Sequence, residues 1–394
     1  MRIAGLALFA LLTLSFNPNL FAAAVQKFAV GTCEPNLQSF PTIQSAVNGV
    51  PSGAIILVCP GNYPEQVTIT QPLTLQGVNI GGSGAAVITV PSGGLVQNAT
   101  LNNLAFPIGG VQVLAENPGG TVNLTDLVID GTGGKIPAGF VGGILYQDAS
   151  GTVSHVVVRH QNTGFISGMA MLVESFLAPQ TVTVLNSTMN DFDYAGIYLN
   201  ADPATRLLTV SLKSNIIRGG SQFAFGIGAG SAAGTVQANL VSEVATALNL
   251  FNDSLTITAN NLSLGTFNFS EGTVVLDGGT NIFKNNQLDS ASQAGIVLSH
   301  ALSSLPDANV VQSNTISNSS TAVSGCTGDP VTGNTVTGNR IIEANVGVAV
   351  YSGNTTAPNT YYGVTTFVSP CGAAPELRNR TSQSQRRPAL SFAH

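Results

Sequence analysis

Two pairs of charged residues in the middle of the chain have types and spacing that could do chemistry. Asp191 and Asp193 stand two residues apart, so they could form an acid pair or half of a calcium site, since carboxylates are the ligands that Ca²⁺ prefers. Lys213 and Arg218 form a cationic pair, and a lyase uses such groups to neutralise a carboxylate and abstract the neighbouring proton. The alternative for both pairs is a solvated surface turn. Apart from this calcium alternative, we expect no cofactor and no metal.

A longer segment before these pairs, residues 130–148, offers a third candidate. It lengthens one unit of the repeat described below, and insertions in repeat proteins form loops on one face, often the binding face. We therefore predict a groove wall with a plain surface loop as the alternative, and its candidate residues are Asp130, Lys135, Phe140, Tyr146 and Asp148.

The elements that must position these residues come from an internal repeat. Short β-branched runs recur, each followed by a polar residue, an apolar residue two positions later and a polar turn. The polar position is occupied in turn by His155, Ser187, Asn215, Asn239, Asn260 or Asn261, Asn286, Asn314 and Asn339. Strands this short cannot bury a face alone, so the units must stack as coils of a solenoid.

Asparagine suits the recurring polar position for two reasons. Stacked side-chain amides hydrogen-bond to one another along the axis, and Asn tolerates the left-handed conformation that bends one strand into the next. Val, Ile and Leu at alternate positions then fill the interior. The sequence predicts an all-β fold, a right-handed single-stranded parallel β-helix of about a dozen coils within residues 25–372.

The start of the stack is predicted to carry a cap. Ile43, Ala46, Val47 and Val50 recur at helical spacing, Ser39 or Thr42 can cap the start, and residues 51–53 end the helix. A short α-helix within about 36–53 would cover the first coil and its unpaired strand edge.

The segment around this cap resembles the N-terminal part of pectinesterases and of NosD-type proteins in the pectin-lyase-like β-helix superfamily. The likeness is carried by Phe40–Gln44, Ala46 and Val47, Val50 and Pro51, the strand that ends at Val58, Gly61–Ile69 and Leu73–Gly77. Pectinesterases use an oxyanion-stabilising Gln, two Asp and an Arg that positions the nucleophilic Asp. Two residues of their first motif are matched in this chain by Gln147 and Asp148, and two residues of their second motif are matched by Asp191 and Phe192. Their third motif is absent, and so is Trp.

The resemblance, together with the acid pair and an arginine in the neighbouring coil, gives a candidate catalytic set: Gln147, Asp148, Arg159, Asp191 and Asp193. Arg159 and Asp191 hold equivalent positions in neighbouring coils, and we expect a surface salt bridge between them. His155 and His160 flank one strand at an odd separation, so their side chains are expected to point to opposite faces, which argues against a shared metal.

The ends of the chain indicate export. Arg2, an apolar run over 3–16 and three alanines at 22–24 have the order of a secretory signal peptide, which we assign to 1–24. Four cysteines in an exported chain predict two disulfides, and of three connectivities we favour Cys33 with Cys59 and Cys326 with Cys371. Residues 373–394 hold four of the nine arginines and are interpreted as a disordered basic tail.

Composition limits the partners. Only 8% of residues are charged and the formal net charge is −6, which argues against nucleic acid, and no later run is apolar enough to span a membrane. We expect a monomer, secreted, periplasmic or at the cell surface, that binds extracellular polysaccharide of a pectin-like or other acidic type, with processing of that polysaccharide left open. The alternatives are a non-enzymatic surface or adhesion scaffold and a divergent carbohydrate esterase or lyase.

Overall fold

The computed structural model describes residues 25–79, 84–102, 108–134, 139–164, 167–205, 208–265, 272–291, 293–300, 307–326 and 330–371. The predicted signal peptide, the predicted basic tail and Lys135 lie outside these residues.

Almost every element in these ranges is a β-strand, and there is one helix. In chain order they are β1 (Lys27–Val30), β2 (Ser39–Phe40), α1 (Ile43–Gly49), β3 (Ile55–Val58), β4 (Gly61–Pro64), β5 (Val67–Ile69), β6 (Leu73–Gly77), β7 (Ala86–Thr89), β8 (Ala99–Thr100), β9 (Ile108–Glu116), β10 (Thr121–Thr125), β11 (Leu127–Asp130), β12 (Phe140–Gln147), β13 (Ser150–Ser154), β14 (Val157–Gln161), β15 (Gly168–Ser175), β16 (Gln180–Leu185), β17 (Thr188–Phe192), β18 (Ala195–Ala201), β19 (Leu208–Lys213), β20 (Ile216–Arg218), β21 (Phe225–Gly230), β22 (Ala232–Gln237), β23 (Leu240–Val244), β24 (Thr246–Phe251), β25 (Ser254–Thr258), β26 (Asn261–Leu264), β27 (Val274–Asp277), β28 (Ile282–Lys284), β29 (Gln287–Asp289), β30 (Ile296–Ser299), β31 (Val310–Gln312), β32 (Thr315–Ser324), β33 (Thr335–Thr337), β34 (Arg340–Val350), β35 (Thr360–Tyr362) and β36 (Thr366–Pro370).

The strands stack as the predicted right-handed parallel β-helix. One strand per coil enters a 13-stranded sheet with the order β2-β1-β3-β6-β10-β13-β16-β19-β22-β25-β28-β31-β33, which makes about a dozen coils. The other strands form a 23-stranded assembly, in which β11-β14-β17-β20 is one run of neighbours and β9-β12-β15-β18-β21 is another. Parallel strands joined this way give right-handed crossovers. The fold prediction is confirmed.

Alternate residues of each strand fill the interior. In β10, Val122 and Leu124 are fully buried while Thr121, Asn123 and Thr125 face outward. One apolar core runs along the axis from Val30 to Val350. Since the pattern repeats in every coil, the direction of each side chain follows from its place in the strand.

The predicted asparagine ladder runs inside the turns. Asn215 donates from its side-chain nitrogen to the amide oxygen of Asn239 at 3.0 Å, and Asn239 donates in the same way to Asn260 at 3.0 Å. The row continues through Asn286, Asn314, Asn339 and Asn359. Each member also accepts the backbone N–H of the member before it, as the Asn215 N to Asn239 Oδ1 distance of 2.9 Å shows.

Two details of this ladder differ from the sequence analysis. The position assigned to His155 belongs to buried Val156, whose N–H donates to Ser187 Oγ. The left-handed conformation is adopted by the residue before each rung, such as His155 and Asn186, and not by the rung itself.

A second ladder, which the repeat did not reveal, occupies another turn near the C-terminal end. Asn281 donates to the oxygen of Asn309 at 3.1 Å, and Asn334 donates to that of Asn354 at 3.2 Å. The backbone N–H of Asn309 connects the two pairs through Asn334 Oδ1 at 2.9 Å. The last coils therefore hold two parallel rows of amides.

The N-terminal cap is the helix α1. Thr42 is its N-cap, and Thr42 and Ser45 form a capping box. Glu65 accepts the free N–H groups of Ile43 at 2.9 Å and of Gln44 at 2.8 Å, which satisfies donors that the first helical turn leaves open. The helix is shorter than the predicted range, because Ser39 belongs to β2. No helix in the described part of the chain could span a membrane.

Both favoured disulfides are present, Cys33–Cys59 and Cys326–Cys371. The first joins the segment before α1 to the end of β3. The second joins the residues that follow β32 and β36 in the last coils. Each closes a loop whose entropy in the unfolded chain makes the bond worth about 3 kcal/mol.

Candidate functional site

A row of polar side chains marks the place where four stacked strands end. The row consists of Glu116, Gln147, Glu174 and Asn200, the residues that pair in register at the ends of β9, β12, β15 and β18. The residue directly before each member points into the core and is apolar. The four members therefore form a polar row on the outer side of the same strands. We call this set the polar row.

Glu174 is the buried member of the polar row, with no exposed surface. Its carboxylate accepts the side-chain N–H of Gln147 at 2.9 Å and of Asn200 at 2.9 Å, and the backbone N–H of Asn102 at 3.0 Å. Burial raises the pKa of Glu174 to about 7, although these three hydrogen bonds act to lower it. The side chain therefore exchanges a proton near neutral pH.

The strap, residues 97–102, is what buries Glu174. It runs over the outer surface of the strands, where Ala99 and Leu101 pack on an apolar cluster that includes Leu145, Leu172 and Tyr198. Polar contacts fix its edges, because Gln147 Nε2 donates to Thr100 O and Asn200 Nδ2 donates to Asn102 O. The strap thus joins the polar row to a second, external hydrophobic cluster.

A pocket of about 510 Å³ lies between the strap and the turn at Phe176 and Leu177. We call it the groove. Asp148 shapes its far wall, accepting the N–H groups of Phe176 at 2.7 Å and Leu177 at 2.8 Å. Its lining is rich in amides, with two carboxylates and one aromatic ring: Gln97, Asn98, Ala99, Thr100, Asn102, Glu116, Asn117, Gln147, Asp148, Phe176 and Leu177.

Of the five candidate catalytic residues, only Gln147 and Asp148 meet at the groove. Asp193 is 3% exposed and accepts the N–H of Thr163 at 2.9 Å and of Ser167 at 3.0 Å, so its role is to hold these two backbone groups. Asp191 accepts the side-chain N–H of Asn162 at 3.1 Å. Neither carboxylate lines the groove. Among the described residues no group of three or more His, Cys, Asp or Glu is placed to hold a metal ion.

Arg159 pairs with Asp130 and not with Asp191 as the sequence analysis expected. Its Nε lies 2.9 Å from Asp130 Oδ2, and His160 Nδ1 lies 3.0 Å from Asp130 Oδ1. The register explains this result, because Arg159 lies beside Asp130 on one side and Asn190 on the other. Burial raises the pKa of Asp130, but hydrogen bonds from Thr132, His160 and Arg159 outweigh it and hold the pKa well below its usual range.

The other predicted binding residues do not share one surface. Phe140 and Tyr146 are fully buried, with the Tyr146 hydroxyl donating to Val122 O at 2.8 Å, so they support the coil instead of facing a ligand. Burial also raises the pKa of Tyr146. Lys213 and Arg218 are exposed on strands of different sheets. Lys135 lies outside the described residues.

Glu116 and Glu174 were missed by the sequence analysis. A signal for them exists in the repeat, because "VLAEN", "LYQD" and "LVES" are apolar strands that each end in a polar pair at equivalent positions. The alignment of these three endings would have placed both glutamates beside Gln147. The strap could not be found this way, since it belongs to no coil repeat.

Comparison with protein families gives one match. Residues 180–363, just under half of the chain, match the model described as periplasmic copper-binding protein (NosD). This agrees with the resemblance noted at the N-terminal segment and with the pectin-lyase-like superfamily of β-helix proteins. No curated protein matches the chain at a significant level.

Solved structures share the fold at low sequence identity. The chain is similar to GH136 lacto-N-biosidase from Eubacterium ramulus, with a TM-score of 0.61 and 11% identity over 88% of this chain and 68% of that one. It is also similar to DFA-IIIase from Arthrobacter chlorophenolicus A6 in complex with GF2, with a TM-score of 0.51 and 16% identity over 86% of this chain and 94% of that one. These likenesses establish the parallel β-helix fold.

The described donors in the matched stretch do not fit copper. Copper sites use thiolate, thioether or imidazole ligands. Within 180–363, Met189 is fully buried in the core, Cys326 is in a disulfide, and His300 Nδ1 lies 3.3 Å from Asp307 Oδ2. No function is therefore derived from a copper ion.

Proposed function

We propose that this chain is an exported β-helix protein that binds neutral polysaccharide in the groove without cleaving it. The observation that carries the proposal is the groove lining, in which amide side chains, two carboxylates and Phe176 face one space of sugar-binding size. Amides donate and accept hydrogen bonds at once, as sugar hydroxyls require. The aromatic ring offers an apolar surface for the face of a sugar ring.

The charges of the groove favour a neutral ligand over the acidic polymer expected from the sequence. Glu116 and Asp148 line it, and its lining residues include no Lys or Arg. A uronate carboxylate would meet two like charges without a cation to offset them. A neutral glycan instead gains two strong hydrogen-bond acceptors.

Binding is preferred to catalysis because Gln147, Asp148 and Glu174 are already engaged in hydrogen bonds within the protein. Gln147 donates to Thr100 and Glu174, and Asp148 holds the turn at Phe176. Glu174, whose pKa would suit a general acid, has no exposed surface. Export is supported by the two disulfides, which persist in oxidising compartments, and by the periplasmic description of the matched family.

A second candidate is glycan hydrolysis, and the spacing of the polar row favours it. Glu116 and Glu174 are separated by two strand spacings, roughly 9.6 Å between backbones. Inverting glycosidases hold their two carboxyl groups about 6.5 to 9.5 Å apart, so the backbones of Glu116 and Glu174 stand at the upper edge of that range and the side chains must incline toward each other. In this candidate Glu174 is the acid and Glu116 the base, and the strap must lift before either acts on a sugar.

The test is a glycan array followed by calorimetry on the best neutral glycan. We expect Phe176→Ala to weaken binding about 5- to 30-fold, the usual loss for an aromatic anchor of 1–2 kcal/mol. Phe223→Ala is the matched control, because Phe223 is exposed at 40% and does not line the groove. Equal affinities of these two variants would contradict the proposed groove.

A reducing-end assay on the same glycans separates the two candidates. The binding proposal expects no product from the wild type. Product that disappears in Glu174→Gln would establish hydrolysis and replace the proposal. A preference for acidic glycans would show that the charge argument is wrong.

A further inference from the structure

The outward side of the 13-stranded sheet carries an array of hydroxyl side chains. Over six consecutive strands from β10 to β25, two neighbouring outward rows are Ser or Thr at every position except Asn123 and Ala233. The rows are Thr121, Ser150, Thr181, Thr209, Ala233 and Ser254, and Asn123, Thr152, Thr183, Ser211, Thr235 and Thr256. We call this surface the hydroxyl face.

The array repeats in two directions. Across the strands the pairing is one to one, with Thr152 beside Thr183 and Thr183 beside Ser211, so neighbours are about 4.8 Å apart. Along a strand the two rows are two residues apart, about 6.7 Å at the rise of a parallel strand. A surface with two fixed repeats is suited to a periodic ligand.

Contacts between coils hold Ser150, Ser211 and Thr235 of this array in place. Ser150 Oγ donates to Gln180 Oε1 at 2.7 Å and accepts the Thr181 N–H at 3.0 Å. Thr235 Oγ1 donates to Ser211 Oγ at 3.5 Å. Held rotamers leave little freedom to lose when a ligand binds. The members are exposed or half-buried, so a ligand can reach them.

Strand propensity alone does not account for this face. Outward positions on β11, β14, β17 and β20 have the same parallel stacking, yet one row holds Val128, Val157, Thr188 and Ile216 and the next holds Asp130, Arg159, Asn190 and Arg218. If Thr were present only because it suits a strand, both surfaces would be rich in it. The hydroxyls are concentrated on one side of the solenoid.

We propose that the hydroxyl face binds the surface of ice. A Thr side chain offers a methyl group and a hydroxyl together, so an array of them orders water above the methyls and anchors it through the hydroxyls. The spacings of the face, about 4.8 Å across the strands and about 6.7 Å along them, are the repeats that the ice lattice has to match. Water ordered at these repeats can merge with the lattice.

The composition of the face separates ice from other partners. The two rows contain no charged and no aromatic side chain. Charges would orient water around themselves, and a face that gripped a crystalline polysaccharide or a protein would carry aromatic anchors. The proposal is independent of the groove, which lies at the strap.

The experiment measures thermal hysteresis and capture into growing ice for the full chain. The wild type is expected to show both, and Thr183→Tyr is expected to lose both because a bulky ring interrupts the face. Thr188→Tyr is the matched control, since Thr188 is an outward, half-buried residue of β17 in the other assembly. Circular dichroism verifies that both variants fold.

Two results would overturn the proposal. The first is a wild type without hysteresis, and the second is an equal response of the two tyrosine variants. If the wild type lacks hysteresis but is retained on crystalline cellulose or chitin, and Thr183→Tyr is not, the face binds polysaccharide instead. Phe176→Ala is expected to keep its hysteresis, so failure of the groove proposal leaves this one standing.

Discussion

Asn260→Leu is expected to lower the free energy of unfolding by about 3 to 5 kcal/mol, because it leaves buried donors without an acceptor. Asn260 Oδ1 accepts both the backbone and the side-chain N–H of Asn239, at 2.9 and 3.0 Å. Its own Nδ2 donates to Val236 O at 2.9 Å. Leucine has nearly the same volume, so the loss comes from the hydrogen bonds and not from a cavity.

Urea unfolding followed by circular dichroism measures this effect, and the neighbouring residue supplies the control. Asn261 is exposed at the start of β26, so Asn261→Leu changes the same residue type one position away without touching the ladder. We expect that variant to stay within about 0.5 kcal/mol of the wild type. A small loss for Asn260→Leu would mean that water replaces the rung.

The second large effect is a fall in stability between pH 4.5 and about 7 that depends on Glu174. Burial raises its folded pKa to about 7 from an ordinary value of 4.5. The folded state then binds more protons than the unfolded chain in this interval, so the contribution of Glu174 is complete below pH 4.5 and is lost as pH rises to 7. The loss is on the order of 3 kcal/mol.

Glu174→Gln is expected to remove this part of the pH dependence, because an amide does not titrate. Glu116→Gln serves as the control, since Glu116 belongs to the same polar row but is exposed. Urea midpoints at several pH values from 4 to 8 give the comparison. A wild-type curve that rises between pH 4.5 and 7, or that Glu174→Gln leaves unchanged, would contradict the assignment.

The architecture could be predicted because it depends on features that recur in every coil. The rung asparagines, the buried Val and Leu of alternate positions and the spacing of Ile43, Ala46 and Val47 are all local signals, and each was confirmed. The two disulfides followed from the positions of the cysteines at the two ends of the stack. The same sequence signals recur in every coil of a solenoid, so the structure of one coil predicts that of the next.

The site could not be predicted in the same way because its contacts cross between coils or come from outside them. The partner of Arg159 is set by register, which places Asp130 beside it, while Asp191 has a left-handed backbone and faces elsewhere. Glu174 is buried only because the strap reaches it from 72 residues earlier. The burial of Glu174 by the strap leaves no trace in the local pattern.

The direction of the asparagine ladder bears on how the chain acquires its shape during synthesis. The side chain of Asn239 accepts from Asn215 and donates to Leu212 O, both of which belong to the coil before it. The amide of each coil thus completes the turn of its predecessor. A chain that emerges N-terminus first, behind the helix α1, can therefore close its turns in sequence, each one coil late. The turn of each coil stays incomplete until the following coil supplies its asparagine.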